Sequence, residues 1–243
     1  MNIPKLPADV IMLISAGIDS FIQWRLLGQP TAIYFPLDNR AQNNESAKIS
    51  LIRKDFGGDI IVNTDLNCLG FYEMSNGYVP YRNLLFLMFA SLVSPNVIIA
   101  QISEWAPDKN EKFYRHTEKL LREATSGSFQ GIDMKTKIFS PFSHMTKTQL
   151  VREYLKKWPA EDLTKYTVSC YSGEDVNCGK CNACMSRYVA MRNNQVDEAY
   201  AEVPDLSSFK SKLSIRDFRL SNLMMYLRRF KEYKEYNEFK RKR

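Results

Sequence analysis

An α/β fold, with a parallel sheet covered by helices on both faces, is the architecture this sequence predicts, and two observations carry it. Through the first 140 residues, short Ile- and Val-rich runs bounded by Gly, Pro or Asp alternate with segments of helical spacing. Strands that read as continuous apolar runs are strands buried on both faces, and helices between them make the crossovers of a parallel sheet. The composition agrees: 243 residues, 44% hydrophobic and 25% charged, suffice to bury a core without staples and exclude wholesale disorder.

Taken in order, Val10–Ser15, Thr31–Leu37, Asp59–Asn63, Asn96–Gln101 and Lys137–Phe142 read as the five strands. Ser20–Leu27 and Glu45–Phe56 carry helical spacing, and Asn83–Val93 follows Pro80 as a more hydrophobic helix. Glu111–Glu123 is a further amphipathic segment, and a helix from the cap region at Thr146 and Thr148 runs to about Lys157. Residues 158–184 are loop-rich, a helix spans about Cys181 to Asn193, and residues 195–212 are polar and turn-prone, as a linker would be. From Leu220 onward there is neither Gly nor Pro, and the spacing is helical. The organisation expected is therefore 1–157 as the α/β domain, 158–196 as a four-cysteine region, and 197–243 as a linker with a basic helical extension.

No run reaches the roughly 18 apolar residues of a membrane span, the longest being Leu84–Val93. Pro4 and Pro7 before the short run Val10–Ile14 fit neither a signal nor a transit peptide, so a cytoplasmic protein with no membrane partner is expected. The 34 Lys and Arg exceed the 27 Asp and Glu by a net +7, but residues 210–243 hold 12 of the former and 4 of the latter. The excess belongs to the tail. There, Leu220, Leu223, Leu227 and Phe230 form a helical seam beside Met224, which suits packing on the domain or on a second copy in a homodimer. A protein partner for this helix and contact with nucleic acid are the weaker alternatives.

Two motifs carry chemistry. Ser15-Ala16-Gly17-Ile18-Asp19-Ser20 sits at the end of the first strand and the start of the first helix. Small residues there let backbone N–H groups close on an anion at the positive end of a helix, at the strand edge where open α/β sheets bind ligands. The plainer alternative is a tight turn in which Asp19 and Ser20 cap the helix. There is no Gly-Lys-Ser/Thr, so this is not a Walker A loop. The second motif is Cys170-x7-Cys178-Gly179-Lys180-Cys181-Asn182-Ala183-Cys184. Four thiolates at this spacing can close a tetrahedral shell, with zinc favoured over an iron–sulfur cluster, and a closed shell reads as structural. Cys68 reads as a free structural thiol, and His116 and His144 as structural or surface residues. Trp105 could stack on a flat base or simply pack.

Together these motifs resemble the 7-cyano-7-deazaguanine synthase family of the PP-loop ATP pyrophosphatases. The resemblance extends through Asp38-x-Arg40 with Glu45, Tyr78-Val79-Pro80-Tyr81-Arg82-Asn83, Ser140-Pro141-Phe142 with Thr146-Lys147, Ser169-Cys170-Tyr171 and Cys184-x2-Arg187. It covers about residues 8–194. It implies an adenine-nucleotide α-hydrolase-like sheet in 1–157 and a C-terminal zinc knuckle. It also implies an ATP-dependent C–N ligase of the queuosine pathway that turns 7-carboxy-7-deazaguanine and ammonia into the nitrile through an acyl-adenylate, releasing AMP and pyrophosphate. ATP is then the co-substrate, Mg²⁺ accompanies it, and structural zinc occupies Cys170, Cys178, Cys181 and Cys184. The residues implied for ATP and its phosphates are Ser15, Ala16, Gly17, Ile18, Asp19, Ser20, Arg82, Asn83 and Lys147, with Asp19, Arg82 and Lys147 closest to the chemistry.

The sequence departs from the family pattern in three places. Ala16 stands for a loop glycine, Tyr81 for the glycine before Arg82-Asn83, and Trp105-Ala106-Pro107-Asp108-Lys109-Asn110 for a Gly-Tyr-Pro-Asp-Cys-Arg-like string. The departures keep three alternatives open. One is a relative, as in phage and anti-phage gene clusters, that passes the activated carboxylate to another amine on a partner protein. The others are a PP-loop enzyme modifying tRNA, and a scaffold whose loop Ala16 has disabled.

Overall fold

In a computed structural model of the chain, residues 5–75, 77–103, 106, 108–125, 135–172, 176–205 and 235 are described. Five short strands, β1 (Ile11–Leu13), β2 (Ala32–Tyr34), β3 (Ile60–Val62), β4 (Asn96–Ile99) and β5 (Lys137–Phe139), form one sheet in the order β3-β2-β1-β4-β5. Every pairing is parallel. The expected strands are all present, each shorter than its expected run.

Alternate residues of β1, β2 and β4 enter different cores, as the period of a pleated strand dictates. Met12, Tyr34 and Ile98 join the cluster that holds Phe21, Ile22 and Trp24 of α1 (Ile18–Leu26), Ile49 and Ile52 of α2 (Gln42–Phe56) and Leu150 of α5 (Lys147–Leu155). Ile11, Leu13, Ile33 and Val97 join the opposite cluster with Leu87 and Ala90 of α3 (Arg82–Val93) and Tyr114 of α4 (Glu111–Thr125). Helices thus cover both faces. Among the described residues, no helix is long and apolar enough to cross a membrane.

The stretch expected as loop contains a further helix, α6 (Glu161–Tyr166), one and a half turns long, too short to declare a period of its own. Tertiary contacts hold it: the Tyr166 ring lies 5.6 Å from that of Phe21 and 4.7 Å from that of Phe56. A 3₁₀ segment at Asn67–Tyr72 was likewise not foreseen. Where a linker was expected, residues 196–205 instead fold back on α7 (Asn182–Arg192). Val196 is buried, and the N–H of Ala201 donates to the carbonyl of Asn177 at 2.9 Å. The expected basic helix from Leu220 lies outside the described residues apart from Glu235, which pairs with Arg152 of α5.

Arg187 of α7 explains the fold-back. Its side chain is wholly buried, and it donates to Glu198, to the Thr167 hydroxyl at 2.7 Å, to the Ser169 hydroxyl at 3.3 Å and to the Leu163 carbonyl at 2.9 Å. One guanidinium therefore fixes α6, the strand-like segment after it, α7 and residue 198. Removing one partner of such a pair strands the other charge away from water. Arg187→Ala is expected to lower unfolding free energy by about 3–5 kcal/mol in urea denaturation, and a loss below ~1 kcal/mol would show that Glu198 rehydrates freely.

Candidate functional site

β1 is the central strand: the chain builds β2 and β3 on one side of it, then crosses from β3 to β4 and β5 on the other. The crevice at the carboxyl ends of such strands is the usual ligand site of an open sheet, and a cavity of about 250 Å³ lies there. The β1–α1 loop forms one wall. The Ser20 hydroxyl donates to the carbonyls of Ser15 at 2.7 Å or Gly17 at 3.0 Å, and the Ser15 hydroxyl accepts from the Gly17 N–H at 3.2 Å. These bonds fold the loop on itself before α1 begins. Its first intrahelical bond runs from the Phe21 N–H to the Gly17 carbonyl, so the N–H groups of Ile18, Asp19 and Ser20 face the helix entrance without intrahelical partners. Gly17 caps the helix in extended conformation, so Asp19 and Ser20 lie inside the helix rather than capping it.

Two further elements bring charge to this wall. Arg82 and Asn83 open α3, Lys147 opens α5, and all three line the cavity. A cation at a helix N-terminus opposes the macrodipole, so these positions answer to what the side chains face. Lys147 is buried and its Nζ donates to Asp19 Oδ2 at 2.7 Å. A capping box, in which the Thr146 hydroxyl accepts from the Gln149 N–H and the Gln149 side chain accepts from the Thr146 N–H, fixes the start of α5. The other carboxylate oxygen, Asp19 Oδ1, is buried and has no hydrogen-bond partner among the described residues. Phe35 and Phe86, their rings stacked 5.0 Å apart, contribute apolar lining.

The cysteine cluster supplies another wall. The four Sγ atoms of Cys170, Cys178, Cys181 and Cys184 lie within 4.8 Å of one another, and those of Cys178 and Cys184 are 3.9 Å apart. A tetrahedral zinc with bonds of about 2.3 Å sets its sulfurs about 3.8 Å apart, so the donor set fits that ion. Backbone N–H groups of Cys178 and Ser172 point at Cys170 Sγ, and those of Lys180 and Cys184 at Cys178 Sγ and Cys181 Sγ, as anionic sulfurs require. The hydrogen bond from Cys184 pulls the Cys181 thiol down to about 4, while the same contact and burial push Cys184 up. Gly179 turns the chain at φ 77°, and a Cβ there would sit 1.6 Å from the Glu202 carbonyl oxygen, so no other residue fits. Ser169, Cys170 and Tyr171 also line the cavity. The cluster and the cavity therefore share Cys170.

The structure brings together every expected phosphate-site residue except one. Ala16 is fully buried in the core, outside the cavity lining, and its carbonyl accepts from the Val168 N–H at 2.8 Å. Its methyl joins the core cluster that holds Met12 and Ile14 instead of the cavity lining. Two charged lining residues were not anticipated as site residues: Glu45 on α2 and Lys109. Burial pushes the Glu45 carboxyl above the ordinary range, and the Arg82 charge pulls it partly back. For Glu45 the motif match was the available signal; for Lys109 only the departure from the family string pointed there. Trp105 and Pro107 lie outside the described residues. Cys68 is free but exposed, and both histidines are exposed and away from the cavity.

Sheet, loop and cluster define an α/β protein of the PP-loop kind. The family model described as queuosine biosynthesis protein QueC matches residues 45–195, and the chain belongs to that family, as a divergent member. It is 29% identical over 210 residues to the 7-cyano-7-deazaguanine synthase of Campylobacter hominis, an alignment covering 73% of this chain and 91% of that protein. It is 30% identical over 160 residues to the synthase of Rickettsia akari, covering 59% and 68% respectively. The matched span holds Glu45, Arg82, Lys147 and all four cysteines, and the Ser15–Ser20 loop precedes it.

Two outcomes follow from this geometry. Cys170→Ser removes a donor from a four-sulfur shell, so metal analysis of the purified variant should fall from one zinc per chain toward none, with a lower Tm than the parent. Equal zinc in both would mean the cluster is not the holder. Glu45 has its carboxyl raised in the folded state, so the fold binds its proton more tightly than the unfolded chain does. The associated loss of stability grows as pH rises through the ordinary carboxyl value of about 4.3 and is complete above the raised one. Glu45→Gln should therefore raise Tm at pH 8 and leave it unchanged below about pH 4.

Proposed function

We propose that this cavity activates the carboxylate of 7-carboxy-7-deazaguanine with ATP and, with ammonia, yields the nitrile. The observation that carries the reading is the convergence of the α1 N-terminus, Arg82, Lys147 and Asp19 on one cavity at the carboxyl edge of β1. The printed names of the relatives, 7-cyano-7-deazaguanine synthases, supply the substrate.

A carboxylate is a poor electrophile. Its oxygen attacks the α-phosphorus of ATP, the bond to the β-phosphate oxygen breaks, and pyrophosphate leaves. Ammonia adds to the acyl carbon, AMP departs, and an amide results. The amide oxygen is activated by a second ATP in the same way, and loss of AMP and two protons leaves the nitrile. What the protein contributes is position and charge. In this reading the N–H groups of Ile18, Asp19 and Ser20 hold the departing pyrophosphate, and the Ser15 and Ser20 hydroxyls turn toward its oxygens. Arg82 and Lys147 neutralise charge, with Asn83 a polar contact beside them. Asp19 has two tasks: one oxygen orients Lys147, and the unpartnered Oδ1 is the acceptor a cation would take. Magnesium held there would neutralise phosphate charge and align the triphosphate. The cysteine cluster supplies a wall and no reacting group.

A second reading shares the adenylate but passes it to a larger amine. It is favoured by Lys109, which joins the cavity lining from the segment that departs from the family string. One incubation separates the two. With ATP, Mg²⁺, the deazaguanine acid and ammonium, mass spectrometry should find nitrile and two AMP per nitrile, independent of added RNA. AMP without free amide or nitrile would favour the larger amine, and no AMP would defeat both. Asp19→Asn is expected to cut AMP formation at least ~100-fold; retained turnover would remove Asp19 from its role.

A further inference from the structure

The reaction proposed above has two halves, and they ask different things of the cavity. Making the adenylate calls for positive charge around phosphates, which Arg82, Lys147 and the start of α1 offer. Joining ammonia to it calls for a base, because at neutral pH ammonia is almost entirely ammonium, whose electron pair is occupied by a proton. A general base is a side chain such as His, Glu, Asp or Lys within hydrogen-bond reach of the proton it takes. Both histidines lie away from the cavity. Of its ionisable lining groups, Arg82, Lys109 and Lys147 are cations, Cys170 belongs to the cysteine cluster and Tyr171 is half-exposed. Asp19 is committed to Lys147 at 2.7 Å. The carboxyl that remains is Glu45.

Its place in the fold suits that role. Glu45 lies in the first turn of α2, and the N-cap residue of that helix, Ala41, lines the cavity with it. The helix dipole favours an anion at this end. Among the described residues Glu45 enters no ion pair, and Arg82 of α3 acts on it only through the charge between them. From β2 it faces the Tyr34 phenol, which burial and then the Glu45 charge push up, and whose hydroxyl lies 3.3 Å from that of Ser46. The other charges lining the cavity are Asp19 of α1, Lys147 of α5 and Lys109. Burial already raises the Glu45 carboxyl, and a triphosphate in the same cavity would add negative charge and raise it further. A carboxylate so placed accepts a proton more readily than one in water.

Resting on the reaction proposed above, we propose that Glu45 is the catalytic base of its amine half: it holds the incoming ammonium in the cavity and takes its proton as nitrogen attacks the acyl carbon. One N–H bond of ammonium breaks toward the Glu45 carboxylate, and the freed electron pair forms the C–N bond. The acyl carbon's bond to the phosphate oxygen then breaks, and AMP leaves with that pair. A second nitrogen proton passes to solvent, which leaves the amide and a protonated Glu45.

The two halves can be read separately on the full chain. Adenylate formation is followed as exchange of labelled pyrophosphate into ATP, with the deazaguanine acid and Mg²⁺ present and the amine omitted. Amine capture is followed by mass spectrometry, as amide plus nitrile with ammonium or as hydroxamate with hydroxylamine. Hydroxylamine is uncharged at neutral pH, so its electron pair needs no base to free it. Glu45→Gln should keep exchange and hydroxamate formation within about threefold of wild type and lose amide plus nitrile about 100-fold. A second measurement needs no variant. At fixed total ammonium, wild-type capture should be flat with pH between the raised Glu45 value and that of ammonium, whereas capture of free ammonia alone would climb about tenfold per unit. That climb in the wild type overturns the assignment, as does unchanged amide plus nitrile in Glu45→Gln. Equal losses with ammonium and hydroxylamine also overturn it, because the effect would then be on the shape of the cavity. Wild-type exchange without amide or nitrile overturns the inference and leaves the adenylate standing, and no wild-type exchange overturns both.

Discussion

The contact between Lys147 and Asp19 organises the site. A lysine that is buried at the start of a helix faces both desolvation and an adverse dipole. One carboxylate oxygen at 2.7 Å meets that need. Because Asp19 belongs to α1 and Lys147 to α5, the pair also ties the loop after the central strand to a helix 128 residues later in the chain. The capping box at Thr146 and Gln149 makes the tie rigid from one side, and the folded serine loop from the other. The geometry has a further consequence. With one oxygen committed to Lys147, the second is held buried and without a partner among the described residues.

The cysteine cluster is integrated with this arrangement rather than appended to it. Cys170 is a donor to the cluster and a wall of the cavity; two residues earlier, Val168 hydrogen-bonds to Ala16 at the exit of β1. Arg187, one turn beyond Cys184, anchors Thr167 and Ser169 on either side of Val168. Cysteine cluster, guanidinium and central strand thus constrain one short segment from three directions. A structural metal held by the cluster would contribute its binding free energy to folding and steady a segment that lines the cavity.

Much of this was legible in the sequence, and the reasons differ by element. The five strands showed because buried parallel strands are unbroken runs of Ile and Val, and the N-cap at Thr146 showed because capping uses few residue types at fixed offsets. The cysteine cluster was legible because metal-donor spacing is written locally. By contrast, α6 was missed because six residues held by Phe21 and Phe56 need no period, and residues 196–205 were misjudged because Glu198 is polar by composition yet buried by its partner. Ala16 shows a different limit. It stands in the loop the motif marks, but its side chain joins the core cluster, which composition does not reveal. Lys109 and Glu45 enter the site from segments whose spacing announces nothing. Side-chain direction is set by tertiary packing, and only the backbone path made it visible.

Charge distribution decides how an anionic nucleotide could be held. Residues 1–209, which include the whole site, carry a net −1, and the excess positive charge lies beyond them. A tetrathiolate shell with zinc adds a further −2 to the region beside the cavity. No long-range positive field therefore draws a triphosphate in, and at physiological salt such a field would fade within about 8 Å in any case. Attraction has to be local: fixed N–H dipoles at the start of α1, the Arg82 guanidinium and the Lys147 ammonium, all at the edge of one strand. Local donors in a partly desolvated cavity act more strongly than the same charges spread over a surface. They also confine recognition to the cavity, so that the basic tail is free to serve a different surface.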